Sequence, residues 1–331
     1  MADLKTKYMG LELRSPIIAG SCGLTSDVEK MVEMEKAGVG AVVLKSIFEE
    51  QINEETSGVF KAGYGMGDAY PEAEDYIKAY IRSNTIQKYV ELVRNAKSRL
   101  TIPVIASVNC FSGGEWISFA SQLEEAGADA LELNVFILPV NEFKESAEVE
   151  NVYFEIVKSI KSQIKIPVSV KISHYFTNLS AFVDKIKAYG ANATTLFNRF
   201  YEPDININTL EMGAASVFST AAELRTTLRW TGILAGKDKK LEISASTGVH
   251  GGEAAVKLLL AGATTVQVCS VLYEKGIHVI EDINNFIGKW MDTKAFKTIG
   301  DYRGMLSYSS IENPDLYERA QFMKYFSNKQ Y

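Results

Sequence analysis

The stretch Asp129–Asn141 reads D-A-L-E-L-N-V-F-I-L-P-V-N, and it decides how the rest of the chain is interpreted. Apolar and polar residues alternate up to Asn134, a pattern typical of a β-strand. An unusually apolar loop that contains Pro139 follows. We therefore predict a strand whose C-terminal end carries Asn134 into an active site.

The same order of elements recurs along the whole chain. Short β-branched runs alternate with longer amphipathic stretches, many of which end at a glycine corner before the next strand. The predicted strands fall at 16–19, 41–44, 103–108, within 129–141, and at 167–172, 193–197, 242–245 and 265–268. Eight strand–helix units in 331 residues predict an α/β fold of the (β/α)8 or TIM barrel type. An open doubly wound sheet is the alternative, but no G-x-G-x-x-G follows the first strand.

Three additions to the barrel are predicted. Leu4–Arg14 forms an N-terminal β-hairpin, and Glu281–Tyr331 forms a helical C-terminal extension. Between the second strand and a helix at Thr85–Arg99, the long irregular segment Gln51–Asn84 is of the kind that forms a lid over an active site. No Pro-rich or charge-rich linker divides the chain, so 1–331 is predicted to be one domain.

Composition excludes several classes of partner. The net charge is −6 and no basic run occurs, so nucleic acid is not an expected partner. The N-terminus lacks an apolar signal region, and no apolar run is long enough to span a membrane. The three cysteines and three histidines lack the spacing of a disulfide framework, a zinc site or an iron–sulfur site. We expect a soluble, cytoplasmic protein without a bound metal.

Polar side chains occupy the C-terminal ends of five of the eight predicted strands, which in a barrel build the active site. These residues are Lys45, Asn109, Asn134, Lys171 and Asn198. Asparagine offers a donor and an acceptor to an imide-like edge, and lysine stabilises negative charge, so the set suits an anionic or electron-rich ligand. For any one of these residues alone, a strand that simply ends in solvent is an equally good explanation.

A phosphate site is predicted beside them. Ser246–Gly252, with the sequence S-T-G-V-H-G-G, follows the seventh strand and opens a helix, and Cys269-Ser270 follows the eighth. Loops after these two barrel strands commonly bind phosphate through backbone N–H groups. A tight strand–helix turn also needs glycine, so the glycines alone are weak evidence for phosphate binding. The stronger indication is that the loop lies next to the turn after the eighth strand.

Together these motifs resemble the dihydroorotate dehydrogenases, which are FMN-dependent barrels. The resemblance spans nearly the whole chain and rests on L-E-L-R-S-P-I-I-A-G, V-L-K-S, G-M-G, L-E-L-N, V-K-I-S, L-F-N, S-T-G-V-H-G-G-E-A and V-Q-V-C-S-V-L-Y-E-K-G. The last two motifs, at their spacing, are the specific ones. The resemblance implies a flavoprotein oxidoreductase of pyrimidine metabolism that converts dihydroorotate to orotate, with a homodimer implied by the resemblance only.

The resemblance also implies roles for individual residues. Those implied to bind FMN are Ala19, Gly20, Ser21, Lys45, Ser46, Asn109, Asn134, Lys171, Thr247, Gly248, Cys269 and Ser270. Those implied to act in catalysis, by stabilising reduced flavin or positioning substrate, are Lys45, Lys171, Asn134 and Asn198. Thr247 and Cys269 replace glycines that are usual in the family, which backbone contacts to phosphate would tolerate.

The substrate half of the family pattern is altered. The family's base is a Cys or Ser a few residues after the asparagine that matches Asn134, but here Val135–Val140 is apolar and no Cys, Ser or Thr occurs before Ser146. Tyr64 stands where the family has an asparagine, and Arg199 where it has a small hydroxyl residue. We therefore expect dihydroorotate oxidation to be weak or absent.

Four other side chains are candidates for a replacement base, namely Cys110, His174, Tyr64 and Tyr70. Each has a plainer role open to it, as a buried thiol, a loop residue or packing within the lid. Two functions stay open at this point. The chain is either an oxidoreductase acting on a dihydropyrimidine-like or another small planar substrate, or a flavin-binding protein or subunit without that catalysis.

Overall fold

The computed structural model describes residues 2–48, 71–109, 113–199 and 202–318. The strands in these ranges are β1 (Thr6–Tyr8), β2 (Leu11–Leu13), β3 (Ile17–Ala19), β4 (Ala41–Val43), β5 (Ile47–Phe48), β6 (Val104–Asn109), β7 (Ala130–Asn134), β8 (Val168–Ile172), β9 (Ala193–Leu196), β10 (Pro203–Asn206), β11 (Glu211–Ala214), β12 (Glu242–Ala245) and β13 (Thr265–Val268).

The helices surround these strands. They are α1 (Val28–Lys36), α2 (Pro71–Arg99), α3 (Gly113–Glu125), α4 (Ser146–Lys161), α5 (Leu179–Ala188), α6 (Leu224–Lys237), α7 (Gly252–Ala261), α8 (Ser270–Lys275), α9 (Val279–Thr293) and α10 (Asp315–Glu318). None of the helices in the described ranges combines the length and apolarity of a membrane span. A cytoplasmic location stays a prediction from the sequence.

Eight parallel strands close into a barrel, which confirms the predicted (β/α)8 fold. In order around the barrel they are β3, β4, β6, β7, β8, β9, β12 and β13, and β13 pairs back with β3. Every residue of these strands is buried except the half-buried Glu242. Strands covered on both faces in this way read as continuous apolar runs, which explains why they were visible in the sequence.

The predicted N-terminal hairpin is present as β1 and β2, which pair antiparallel and close the N-terminal end of the barrel. Tyr8 is fully buried there, and its hydroxyl donates to Oγ of Ser169 at 3.1 Å. Burial raises the pKa of Tyr8 above its usual range, so the phenol stays protonated. The ligand site is therefore expected at the opposite end of the barrel, where the C-terminal ends of the strands lie.

The segment after β4 differs from the expectation. The chain is helical from Pro71 onward, so the irregular segment is shorter than the predicted Gln51–Asn84. Residues 49–70, on which most of the lid prediction falls, lie outside the described residues. The short strand β5, paired with β6, was not predicted.

The C-terminal extension is helical in part. Helix α9 forms the beginning of the extension, as far as Thr293, and the chain then turns through residues in the left-handed region, Ala295 (φ 58°) and Gly304 (φ 75°), before α10. The turn region packs on α9, since the buried Tyr302 contacts the ring of Trp290 edge-on at 4.9 Å between centroids. Residues 319–331 lie outside the described part of the chain. That the chain is a single domain stays a prediction.

Candidate active site

A cavity of about 380 Å³ opens at the C-terminal ends of the barrel strands. Residues that follow β3, β9, β12 and β13, together with one near the end of β8, line its walls. The predicted site residues among them are Gly20, Ser21, Lys171, Asn198, Thr247, Gly248, Cys269 and Ser270. Residues that are far apart in the sequence therefore meet at one place, which is where a barrel builds its ligand site.

Two predicted asparagines lie below this cavity on neighbouring strands. Asn134 is buried, and its Oδ1 accepts a hydrogen bond of 2.6 Å from Nδ2 of Asn198. Asn109 is also buried, but its Oδ1 finds no hydrogen-bond partner among the described residues. An unpaired buried carbonyl oxygen costs ~1–3 kcal/mol, so this atom is suited to a donor supplied by a ligand.

A buried polar network supports Lys171. The Lys171 ammonium donates to Oε1 of Gln267 at 3.3 Å and lies 3.7 Å from Oε1 of Glu132. Glu132 is 1% exposed, and its Oε2 accepts from Nε2 of Gln267 at 2.7 Å and from Oγ1 of Thr195 at 2.9 Å. The lysine is therefore held in place, and its charge is paired, inside the barrel.

Sequence reasoning missed Glu132 and Gln267, although both leave a signal. Glu132 precedes Asn134 by two residues in β7, so both side chains project from the same face of the strand. A charged residue on the inward face of a buried strand is rare unless it has a partner. Gln267 is likewise the one amide within the apolar strand β13.

Besides Asn109 and Asn134, three predicted residues do not line the cavity. The Lys45 side chain is exposed and lines a separate shallow depression with Thr85 and Tyr89. Ser46 is buried, and its hydroxyl lies 3.0 Å from Oγ of Ser21. Ala19 is fully buried within β3. The structure therefore connects Ser46 to the cavity through Ser21 and does not bring Lys45 to it.

The loop after β12 has the backbone expected for anion binding. Thr247 (φ 79°) and Gly248 (φ 78°) are consecutive residues in the left-handed region. A Cβ on Gly248 would lie 2.3 Å from the backbone nitrogen of Leu224, so only glycine fits there. Thr247 is anchored by a 3.2 Å hydrogen bond from its hydroxyl to the carbonyl of Phe197. The turn leads into the N-terminus of α7, and backbone N–H groups at such a place can bind an anion.

Two cysteines meet at the edge of the cavity. The contact with the Cys269 thiol lowers the pKa of Cys22 to about 6, helped by backbone N–H groups of Leu24 and Thr25 and opposed by burial. The same interaction and burial raise the pKa of Cys269 above the usual range of a thiol. The contact joins positions 247 residues apart and left no local signal.

Comparison with known proteins shows which family the chain belongs to. The family model described as dihydroorotate dehydrogenase matches residues 3–291. The chain belongs to the dihydroorotate dehydrogenase family. The predicted resemblance and the predicted oxidoreductase class are thereby confirmed, and the family is generally flavin-dependent.

Relatives of this family match along almost their full length. A protein of Thermoplasma acidophilum named dihydroorotate dehydrogenase B (NAD(+)), catalytic subunit, is 30% identical over 311 residues, which cover 92% of this chain and 99% of the relative. A protein of the same name from Thermoplasma volcanium is 27% identical over 326 residues, with the same two coverages.

Within the dihydroorotate dehydrogenase family, the loop after β7 is unusual here. Val135 is fully buried, whereas Leu138 and Val140 are 53% and 78% exposed. The loop carries no side chain that accepts a proton near Asn134. That dihydroorotate oxidation is weak for lack of a base here stays a prediction from the sequence.

Of the four other candidate bases, His174 is the one within the described residues. His174 is exposed, partial burial lowers its pKa, and its ring packs against Tyr175 and Phe197. Phe197 lines the cavity but His174 does not. The other three, Cys110, Tyr64 and Tyr70, lie outside the described residues.

Arg199 lines the cavity, but its guanidinium is already engaged. Its Nε donates to Oε2 of Glu223 at 3.0 Å, its Nη1 donates to the carbonyl of Val217 at 3.0 Å, and its Nη2 lies 3.5 Å from Oε2 of Glu202. These partners bracket the β10–β11 hairpin. Arg199 therefore links the chain before and after the β10–β11 hairpin. The resemblance implies a small hydroxyl residue at this position.

Proposed function

We propose that the protein is an FMN-dependent oxidoreductase that passes hydride between a small planar, dihydropyrimidine-like substrate and the flavin. The observation that carries this proposal is the convergence of Lys171, Asn198 and the loops after β12 and β13 on one cavity. A cation with amides at one end of a cavity, and an anion-binding backbone at the other, matches the two polar ends of FMN.

The residues present fit this cofactor. The unpaired Oδ1 of Asn109 and the Asn134–Asn198 pair offer acceptors and donors to the imide edge of a flavin ring. Gly20 passes close to β13, where a Cβ would lie 3.2 Å from Oε1 of Gln267, so a bare backbone faces the cavity. At the other end, Thr247-Gly248 and Cys269-Ser270 would hold the phosphate.

The chain's own residues then account for part of the chemistry. Bound FMN supplies the hydride acceptor. Lys171 holds a positive charge in a buried position, where it stabilises negative charge more strongly than in water. The hydrogen bond between Asn134 and Asn198 fixes the orientation of both amides, which would position the substrate.

The apolar loop after β7 argues against efficient oxidation of dihydroorotate. General-base catalysis typically contributes ~100-fold to 10,000-fold, and the loop that would supply the base is apolar. We therefore propose that dihydroorotate reduces the bound flavin at a rate lower than in relatives with a base by about this factor.

A panel of substrates tests the proposal. The purified protein is loaded with FMN and mixed anaerobically with dihydroorotate and other dihydropyrimidines while the flavin absorbance band is followed. We expect a yellow protein that is bleached slowly or not at all by dihydroorotate and faster by another member of the panel. Failure to retain FMN contradicts the proposed cofactor, and fast bleaching by dihydroorotate contradicts the proposed loss of the base.

A second candidate function is a flavin-binding protein or subunit without this catalysis, which the apolar loop after β7 favours. The relatives named catalytic subunits support an association with a further chain, and NAD(+) in their names is the electron acceptor of those proteins. A stable FMN complex that no member of the panel reduces favours this candidate. We also propose a homodimer, for which the exposed apolar hairpin β10–β11 gives support.

A further inference from the structure

One wall of the cavity is made by the insertion after β9. Glu202 and the stretch 214–217, which flank the β10–β11 hairpin, line this wall. Arg199 lines the cavity beside them and directly follows Asn198, the amide that we propose to position the substrate. A substrate held by Asn198 therefore meets the charges of Arg199 and Glu202.

Two carboxylates surround the Arg199 guanidinium. Oε2 of Glu223 accepts from Nε of Arg199 at 3.0 Å, and Oε2 of Glu202 lies 3.5 Å from Nη2. The carbonyl of Val217 accepts from Nη1 at 3.0 Å, so each of the three guanidinium nitrogens already has a partner. We call Arg199, Glu202 and Glu223 the Arg199 cluster. One cation against two carboxylates gives this cluster a net charge of −1 at neutral pH.

The exposure of these side chains sets how strongly the charge acts on a ligand. The Arg199 side chain is 18% exposed and that of Glu223 is 28% exposed, whereas Glu202 is 60% exposed where it lines the cavity. Water and salt screen an exposed charge. Each carboxylate alone therefore has a modest effect on a charged ligand, and the two together have a larger one.

Lys171 does not offer a free charge to a substrate either. Its ammonium donates to Gln267 and lies 3.7 Å from the buried carboxylate of Glu132. Lys45, the other lysine predicted for the site, lines a separate depression. In the described part of the chain, each cation that lines the cavity thus has a carboxylate partner. A substrate carboxylate could pair with one of these cations only by displacing an ion pair that is already present.

We propose that the substrate is a dihydropyrimidine without a carboxylate, and that the Arg199 cluster sets this specificity by repelling an anionic ring substituent. The inference rests on the proposed FMN-dependent function and narrows its substrate class. A charge that enters the cavity without a partner loses hydration, whereas an uncharged ring meets the amides of Asn134 and Asn198 without that cost. The competing explanation is structural, with the cluster only fastening the two ends of the insertion.

A series of charge variants separates the two explanations. Orotate and uracil share the pyrimidine ring and differ in the carboxylate of orotate. Each is titrated into FMN-loaded protein, and binding is followed by the change in the flavin absorbance band. Glu202→Gln and Glu223→Gln each bring the Arg199 cluster to neutrality, and the double variant gives it a positive charge. Glu211→Gln, on the exposed strand β11 and outside the cavity lining, is the matched control. Thermal unfolding shows that each variant is folded.

We expect the wild type to bind uracil more tightly than orotate. Each single variant should strengthen orotate binding about threefold and the double variant about tenfold, while uracil binding stays within about twofold. Added salt should reduce these differences, because the charges are partly exposed. Glu211→Gln should change the binding of neither ligand.

Three results would contradict the proposal, and they differ in what they contradict. A wild type that binds orotate more tightly than uracil, or binds neither pyrimidine, overturns this inference while the proposed flavin function stands. Variants that weaken both ligands, or leave the ratio of their affinities unchanged, show that the Arg199 cluster is structural and overturn its role in specificity. A wild type that does not retain FMN overturns the proposed function itself.

Discussion

At the scale of single residues, the buried pair of Glu132 and Lys171 determines how much positive charge the cavity presents. Their charged groups are 3.7 Å apart, and Glu132 is 1% exposed. The negative charge of the carboxylate opposes the stabilisation that Lys171 gives to an anionic reduced flavin.

We predict that Glu132→Gln raises the midpoint potential of bound FMN. Loss of the negative charge leaves Lys171 uncompensated, so the reduced flavin gains stability by ~1.4 kcal/mol, which is ~30 mV for a two-electron couple. The potential is measured by anaerobic dye titration. Glu211→Gln, on the exposed strand β11, is the control and should leave the potential unchanged. An unchanged or lower potential in Glu132→Gln contradicts the assigned role.

A second prediction concerns the reactivity of Cys22. Because Cys269 and two backbone N–H groups stabilise its thiolate, the pKa of Cys22 lies at about 6. Below this pH the thiolate is lost, so alkylation of Cys22 by iodoacetamide should rise through pH about 6 and level off above it. Mass spectrometry of the labelled peptide reports Cys22 separately from the other cysteines.

The donor itself provides the check on this assignment. In Cys269→Ala the thiol that donates to Cys22 is gone, so the midpoint of alkylation should move upward toward the ordinary thiol value of about 8.5. Cys110→Ser serves as the control. A wild-type midpoint already above pH 8, or an unchanged one in Cys269→Ala, would show that Cys22 is an ordinary thiol.

The residues that sequence reasoning could find are those fixed by the strand pattern alone. Lys171 and Asn198 follow from the rule that strand ends build the site, and both reach the cavity. Ser219 also lines the cavity, but the rule does not predict it. It lies in an insertion and meets Ser270, 51 residues further along the chain, only when the chain is folded. Lys45 obeys the same rule as Lys171 and still points to solvent.

At the scale of elements, the loop after β12 depends on its close contact with the start of α6. Gly248 is in the left-handed region, and its backbone packs directly against Leu224. Replacement by alanine therefore meets two penalties, the conformational cost of a side chain at φ 78° and a clash with backbone that has no flexible end to move.

We predict that Gly248→Ala lowers the free energy of unfolding by ~1–3 kcal/mol or more, as measured by urea denaturation of the flavin-free protein. Gly251→Ala is the matched control three residues later. Its added Cβ would have no atom within 4 Å, and its backbone is extended, so its stability should change by less than ~0.5 kcal/mol. Equal effects of the two substitutions would contradict the close contact.

The elements that the sequence predicts best are those with sharp boundaries. Glu242–Ala245 and Thr265–Val268 were predicted with the bounds observed, because a turn that contains glycine lies next to each strand. The β10–β11 hairpin was not predicted as a pair of strands. All of its residues are exposed, so no apolar alternation set by a core marks its strands.

At the scale of the whole molecule, the β10–β11 hairpin presents a group of exposed apolar side chains. Ile205 and Met212 face each other across it and are 60% and 68% exposed, and Ile207 and Leu210 near its turn are 80% and 85% exposed. An isolated two-stranded hairpin is marginally stable in water, and contiguous exposed apolar side chains commonly mark an interface. In the proposed homodimer, a second copy of the chain covers this apolar surface.

We therefore predict a dimer that the double variant Ile207→Asp/Leu210→Asp converts to a monomer. Two buried charges in the interface would be left without partners, which costs several kcal/mol and shifts the equilibrium even at micromolar protein. Size-exclusion chromatography with light scattering over a range of concentrations measures the mass. Leu316→Asp, an exposed apolar residue on α10, is the control that should remain dimeric. If the wild type is monomeric throughout, or if the control dissociates equally, the hairpin is not the contact between two copies.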